Sequence, residues 1–145
     1  MIVRNIIDSK ANSQVFSMKP SDTVRAAVEV LSARRIGAVI ISGDGAMVDG
    51  ILSERDIVRA LGSKGPACLD GQVRDLMTAT VIACRPEDTA LSVLERMTEG
   101  RFRHMPVVEE NRMIAVISIG DVVKARISEV QTENAALTDM ISNSW

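Results

Sequence analysis

The sequence predicts an α/β (α+β) fold: two β-α-β-β-α units packed about a pseudo-twofold axis, followed by a helical tail. Three observations predict it. The first is an internal repeat, the feature to seek before any single element. Val15-Phe16-Ser17-Met18-Lys19-Pro20-Ser21-Asp22-Thr23 returns as Val81-Ile82-Ala83-Cys84-Arg85-Pro86-Glu87-Asp88-Thr89 at a spacing of 66, as do Glu29 and Arg35 in Glu95 and Arg101. Ser53, Asp56, Val58 and Ala60 return as Ser118, Asp121, Val123 and Ala125 at 65, so the second copy is one residue shorter there. The second is that apolar periodicity switches between helix and strand in the same order in both copies. The third is size: 145 residues, 46% apolar, suffice for one domain or two interlocked halves, whereas a unit of about 60 residues is marginal alone.

Each copy reads alike. A lead-in, Val3–Ile7 or Val73–Met77, has the spacing of a helical turn; Val3-Arg4 matches Val73-Arg74 at 70, which gives the first copy the longer entry loop. A short strand then ends at Pro20 or Pro86, where proline removes no ladder bond. Ser21-Asp22 and Glu87-Asp88 are expected to cap the next helix. Its apolar face is Val24, Ala27, Val28 and Leu31 in one copy and Ala90, Val93, Leu94 and Met97 in the other. Two strands follow, Gly37–Ser42 with Met47–Leu52, and His104–Val108 with Met113–Ile117. Gly43-Asp44-Gly45 and Glu109-Glu110-Asn111 are the turns between them. The closing helices start at Ser53-Glu54-Arg55-Asp56 and Ser118-Ile119-Gly120-Asp121. The expected division is repeat 1 over 1–65, a Gly/Pro-marked linker over 66–72, repeat 2 over 73–128, and a tail over 129–145.

The tail has no counterpart in the first copy. Val123, Ile127, Val130, Asn134, Leu137 and Ile141 form a short heptad seam with one polar position. Two readings stand: a helix laid on its own domain, or a self-association helix. Trp145 ends the chain and is expected to be mobile or part of an oligomer contact.

Composition narrows the function. Net charge is −2 and aromatic content 2%, against the basic face and stacking aromatics of nucleic-acid binders. No apolar run reaches the length of a membrane span, and the N-terminus lacks the pattern of a signal peptide, so the expectation is a cytoplasmic protein. Cys68 and Cys84 lack CxxC spacing and are expected as free thiols. With His104 the only histidine, a metal site is not expected. A triad, a P-loop and a GxGxxG are all lacking, so an enzyme is not expected either.

Ser-x-x-Asp at a helix start has two readings. Ser at the N-cap with an acid three residues on is a capping box. The same helix end carries orphan N–H groups that favour phosphate, and a carboxylate there suits the paired hydroxyls of a ribose. The repetition of the loop is what brings the second reading forward.

The ordered set of motifs resembles the CBS domain, the family named after cystathionine β-synthase. It consists of Pro20/Asp22/Thr23 and Pro86/Asp88/Thr89, the segment Arg103-His104-Met105-Pro106-Val107, and the two Ser-x-x-Asp loops. The resemblance covers roughly residues 1–128 and implies a stand-alone regulatory pair. Such pairs bind adenosine-containing ligands (AMP, ADP, ATP, NAD(H) or S-adenosylmethionine) in crossed clefts, and so sense energy or cofactor state. The resemblance places Ser53, Arg55, Asp56, Thr78, Ala79, Arg101, Phe102, Arg103 and His104 at site A. It places Asn12, Ser13, Arg35, Ile36, Gly37, Ala38, Ser118 and Asp121 at site B. Asp would hold the ribose and Ser the phosphate, with no metal required. Because Ile36-Gly37-Ala38 stands where the second copy has Phe102-Arg103-His104, site B is expected to be smaller and less charged at that edge and to grip phosphate weakly or stay empty, with site A the stronger for phosphorylated ligands. A homodimer and a regulated protein target are expected partners, with neither nucleic acid nor membrane. The alternative is an interaction or oligomerisation module without a working nucleotide site.

Overall fold

The computed structural model describes residues 1–10 and 15–143. The elements run α1 (Val3–Ser9), β1 (Ser17–Met18), α2 (Val24–Arg34), β2 (Ala38–Ile41), β3 (Gly50–Ser53), α3 (Glu54–Lys64), α4 (Ala90–Gly100), β4 (His104–Glu109), β5 (Arg112–Ser118) and α5 (Ile119–Asn143). Two 3₁₀ turns, Pro66–Asp70 and Val73–Asp75, lie between α3 and α4. The first sheet has the order β1-β2-β3, with β1 parallel and β3 antiparallel to β2. The second is the antiparallel pair β4-β5, to which Cys84 adds a single parallel bridge at Val107. The counterpart of β1 is thus reduced to one pairing.

The fold class is the expected one: two like units of helices on small sheets, closed by a C-terminal helix. Several local details differ. Thr23 and Thr89, not the acids before them, cap α2 and α4, each hydroxyl accepting from an N–H three residues on at 3.1 Å. Asp22 and Asp88 fold back instead to accept from Lys19 N–H and Arg85 N–H, both at 2.9 Å, which fixes the turn at each proline. The first hairpin is shorter than expected. Asp44 Oδ1 accepts from Ala46 N–H and Met47 N–H at 2.9 Å each, and this holds Met47 in an exposed loop, so β3 starts only at Gly50. The β4-β5 hairpin turns on Glu110 and Asn111, with φ of 52° and 64°, as the two central residues of a type I′ turn require.

The lead-ins are exchanged. Val3 N–H donates to Asp88 O at 2.8 Å and Ala90 N–H to Met1 O at 3.0 Å. The mirror bonds are Val73 N–H to Asp22 O at 2.8 Å and Val24 N–H to Gly71 O at 2.9 Å. Packing follows the same exchange. Val3 and Ile6 are buried with Val93, Met97, Met105, Ile117 and Val122, the core of the second unit. Val73, with Leu76 and Met77 against it, joins Val24, Leu31, Val39, Ile41, Leu52 and Ile57 in the first. Each core is completed by the other unit's lead-in, which overcomes the small size of a single copy.

The segment between the units is itself ordered. α3 runs through Gly62 to Lys64, and Pro66–Asp70 continues as a 3₁₀ turn. Val122 and Ala125 bury the first turns of α5 in the second core. From Gln131 to Asn143 every side chain of α5 is exposed, so the tail is not laid on its own domain. Ser144 and Trp145 lie outside the described residues.

Candidate functional site

Two clefts lie between the units. In each, a strand delivers Ser-x-x-Asp to a helix start, and both starts form the capping box. Ser53 Oγ accepts from Asp56 N–H at 3.3 Å, and Asp56 Oδ2 accepts from Ser53 N–H at 2.9 Å and from its hydroxyl at 3.0 Å. Ser118 Oγ accepts from Asp121 N–H at 3.1 Å, and Asp121 Oδ2 accepts from Ser118 N–H at 2.9 Å. The cap engages one carboxylate oxygen of each Asp. A carboxylate offers about four lone-pair sites, so capping and ligand contact are compatible.

Cleft A has a volume of about 380 Å³. The α3 start supplies Ser53, Glu54, Arg55, Asp56 and Arg59; the turn before β4 supplies Gly100, Arg101, Phe102, Arg103 and His104. Thr78, Thr80, Val81 and Ile82 form its back. Thr78 is fixed there because it exchanges two backbone hydrogen bonds with Ile51 of β3, at 2.9 and 3.0 Å. Gly50 permits that crossing, since a Cβ there would lie 2.5 Å from Met77 Sδ. All the residues expected at site A therefore meet in one cleft except Ala79, which is exposed and outside its wall.

Cleft B is about 520 Å³. Ser118 and Asp121 face Arg35, Ile36, Gly37 and Ala38 across it, as expected at site B. Asn12 and Ser13 fall outside the described residues. Taken whole it is the larger of the two, with Lys10 and Arg34 lining it beside Arg35 against four arginines in cleft A, while its Gly37-Ala38 edge carries no charge.

Lys10 is the cleft residue that the sequence marks least plainly. Its Nζ donates to Asp121 Oδ2 at 2.9 Å and to Val116 O at 3.1 Å. Burial would raise the Asp121 carboxyl, but the hydrogen bond from Ser118 and the Lys10 ammonium hold it below the ordinary aspartate value. The available signal was its place two residues before Asn12. Arg34 stacks 4.0 Å above the Phe16 ring, and both line the same cleft. Arg59, one turn beyond Asp56 and 4.0 Å from its Oδ1, was legible from the i,i+3 spacing.

Arg35 and Arg101 occupy matching places with matching strain. Each ends its helix in the left-handed region, φ 54° and 57°, and the next residue's N–H reaches back to Leu31 O or Met97 O at 3.2 Å. Glycine is the usual residue at such a position. An arginine stands there in both copies, each lining a cleft.

The sequence profile of the CBS domain matches residues 3–63 and again 73–128. The chain belongs to the CBS domain family. It carries a tandem CBS pair, a regulatory module. A CBS-domain containing protein from Agrobacterium tumefaciens superposes with a TM-score of 0.82 at 42% identity, over 87% of this chain and 99% of that one. The mitochondrial CBS domain-containing protein CBSX3 of Arabidopsis thaliana is 34% identical over 86% of this chain, which spans only 62% of that protein's length. The CBS pair of protein MJ0100, solved with 5′-methylthioadenosine and S-adenosyl-L-methionine, shares the fold at a TM-score of 0.73 and 18% identity, over 89% of this chain and 98% of that one. Among the described residues no helix is long and apolar enough to cross a membrane, and no group of three or more His, Cys, Asp or Glu is placed to hold a metal ion. Cys68 and Cys84 are free; burial pushes the Cys84 thiol up to about 12.

Proposed function

We propose that this CBS pair is a non-catalytic sensor that binds an adenosine-containing nucleotide in each cleft, with AMP, ADP, ATP or NAD(H) as the ligand class. One observation carries the reading. Each cleft sets a capped Ser-x-x-Asp helix start against arginines on the opposite wall, Arg101 and Arg103 in A, Arg34 and Arg35 in B. The carboxylate suits a ribose diol, the helix end and guanidinium groups suit phosphate, and Val81 and Ile82 or Val39 and Ile40 offer apolar walls for a base. The adenosine ligands of the MJ0100 pair agree with this chemistry. Calorimetry with AMP, ATP, NAD(H) and S-adenosylmethionine should show binding without turnover, together with a rise in melting temperature. No heat and no stabilisation with any of them would end the nucleotide reading.

A second reading rests on the tail. Ile127, Val130, Leu137 and Met140 are exposed along α5, an apolar seam open to a second copy of the chain. Light scattering should find a homodimer at micromolar concentration, weakened by truncation after Ser128. A monomeric full-length chain would remove the dimer, and an unchanged truncated dimer would remove only the role of the tail.

A further inference from the structure

His104 belongs to both clefts. It is the first residue of β4, register-paired with Ser118 of the cleft B loop, while the turn that leads into it walls cleft A. It lines the two cavities at once, together with Gly37 and Ala38. At the repeat spacing of 66, Ala38 is the counterpart of His104 and Gly37 that of Arg103. One ring therefore stands near the pseudo-twofold axis, where strict symmetry would place two. The small residues of the first copy make that possible: a Cβ on Gly37 would lie 3.1 Å from His104 Cε1 and 3.3 Å from Nε2. The sequence difference between Ile36-Gly37-Ala38 and Phe102-Arg103-His104 is thus a packing complement.

We propose that His104 is a ligand-contacting residue shared by the two clefts, so that a phosphorylated ligand in one changes the affinity of the other. This rests on the nucleotide reading above. The charged groups around the ring are Glu54 from the α3 start, Asp121 from the α5 start, Lys10 after α1, and Arg103 beside it. Burial comes first among the influences on the ring and lowers it below the ordinary histidine value, with Lys10 and Arg103 acting the same way against the two acids. A phosphate entering either cleft adds negative charge beside the imidazole and favours its protonation. The first ligand then draws in a proton, and the resulting imidazolium attracts a phosphate in the second cleft. By linkage the effect is the same whichever cleft fills first.

His104 is the only histidine of the chain, so one ring signal in a histidine-labelled NMR spectrum reports it without assignment. AMP is the probe, titrated into wild type, Asp56→Asn and Asp121→Asn, each variant confining high-affinity binding to one cleft. The ring signal should shift in both variants. In wild type near pH 6.5, calorimetry in buffers of different ionisation heat should show proton uptake. The second AMP should bind several-fold more tightly than to the corresponding single-cleft variant. His104→Gln should abolish the uptake and the difference in affinity and weaken AMP in both single-cleft variants. Gly37→Ala, which crowds the ring without removing it, should move the same signal and alter AMP affinity in both single-cleft variants. A ring signal that responds in only one of the two Asp variants, or coupling unchanged in His104→Gln, overturns the proposal while the nucleotide reading stands. Absence of AMP binding to wild type ends both.

Discussion

The two clefts share a scaffold and differ in where their charge comes from. In A, Arg55 and Arg59 come from the helix that carries Asp56, and Arg101 and Arg103 face them from the other unit. In B, Asp121 is already paired with Lys10, and the remaining cations are Arg34 and Arg35, one of them stacked on Phe16. The elements held in common are those the backbone demands: the capping boxes, the left-handed arginines, and the bonds from Glu54 N–H to Gly37 O at 2.9 Å and Ile119 N–H to Arg103 O at 2.8 Å. The repeat has kept what forms a cleft and changed what fills it. The difference between sites is therefore electrostatic before it is architectural.

The strongest way to break the comparison is to undo the exchange that supports both clefts. Ile6 is 3% exposed and packs in the core of the other unit. Ile6→Ala should destabilise the protein by about 2–5 kcal/mol, the usual range for such a truncation in a closed core. Urea unfolding should still show one transition, because neither unit completes its core alone. A separate early transition confined to the second unit would mean that the exchange does not couple the halves.

Next comes the cation exchange between clefts. Arg103→Ala should weaken AMP far more than adenosine at A and change B by no more than the several-fold coupling through His104; Lys10→Met should do the reverse. Each loss is expected at roughly 1.5–3 kcal/mol, about ten- to a hundredfold in affinity, as for a charge-assisted bond. Equal losses at both sites from either variant would show that the clefts share one field. Lys10→Met carries a pH signature as well. The folded-state value of Asp121 lies below the ordinary 3.8, so its contribution to stability is present above that value and is lost as pH falls through the folded one. Without Lys10 the acid-dependent loss should start from the same pH, set by the unfolded chain, but be complete at a higher pH and be smaller in total. An unchanged acid limb in chemical unfolding would mean that the ion pair contributes nothing in solution.

Much of this architecture was legible. The repeat, at a spacing of 66 and then 65, placed the helices, the strands after them and both Ser-x-x-Asp loops, because caps, prolines and apolar periods are local signals. What the sequence concealed depends on long-range geometry. Lys10 meets Asp121 across 111 residues, and nothing local marks that contact. The reduced strand around Cys84 was misjudged because its apolar pattern matches that of β1 while its pairing shrinks to a single bridge. At the edge of cleft B Gly37-Ala38 read as missing side chains; in the fold the space they leave admits His104. The cap residues were misread by one position, since Asp22 and Asp88 satisfy the turn behind them and leave the helix start to threonine.

The smallest expected effect sharpens the comparison furthest. Arg35 and Arg101 hold equivalent left-handed positions, so a glycine at either should relieve the same backbone strain. A residue with a Cβ in this region costs roughly 1–2 kcal/mol, set against the unfolded-state freedom that glycine adds, so a net gain of about 0.5–1 kcal/mol is expected. Arg101→Gly should therefore raise the melting temperature in the absence of ligand and weaken AMP binding at cleft A. Arg35→Gly should stabilise similarly and act on cleft B. The opposite signs matter because a merely structural arginine would show the first effect without the second. Stabilisation with AMP affinity intact would mean that the two arginines are helix ends and nothing more, and the phosphate would then depend on Arg103 in one cleft and Lys10 in the other. Destabilisation by either glycine would show that the guanidinium groups themselves hold the helix ends. If the two variants shift stability alike but differ in the fold-change of AMP affinity, that difference measures how far Lys10 and Arg34 compensate in B for what Arg101 and Arg103 do together in A.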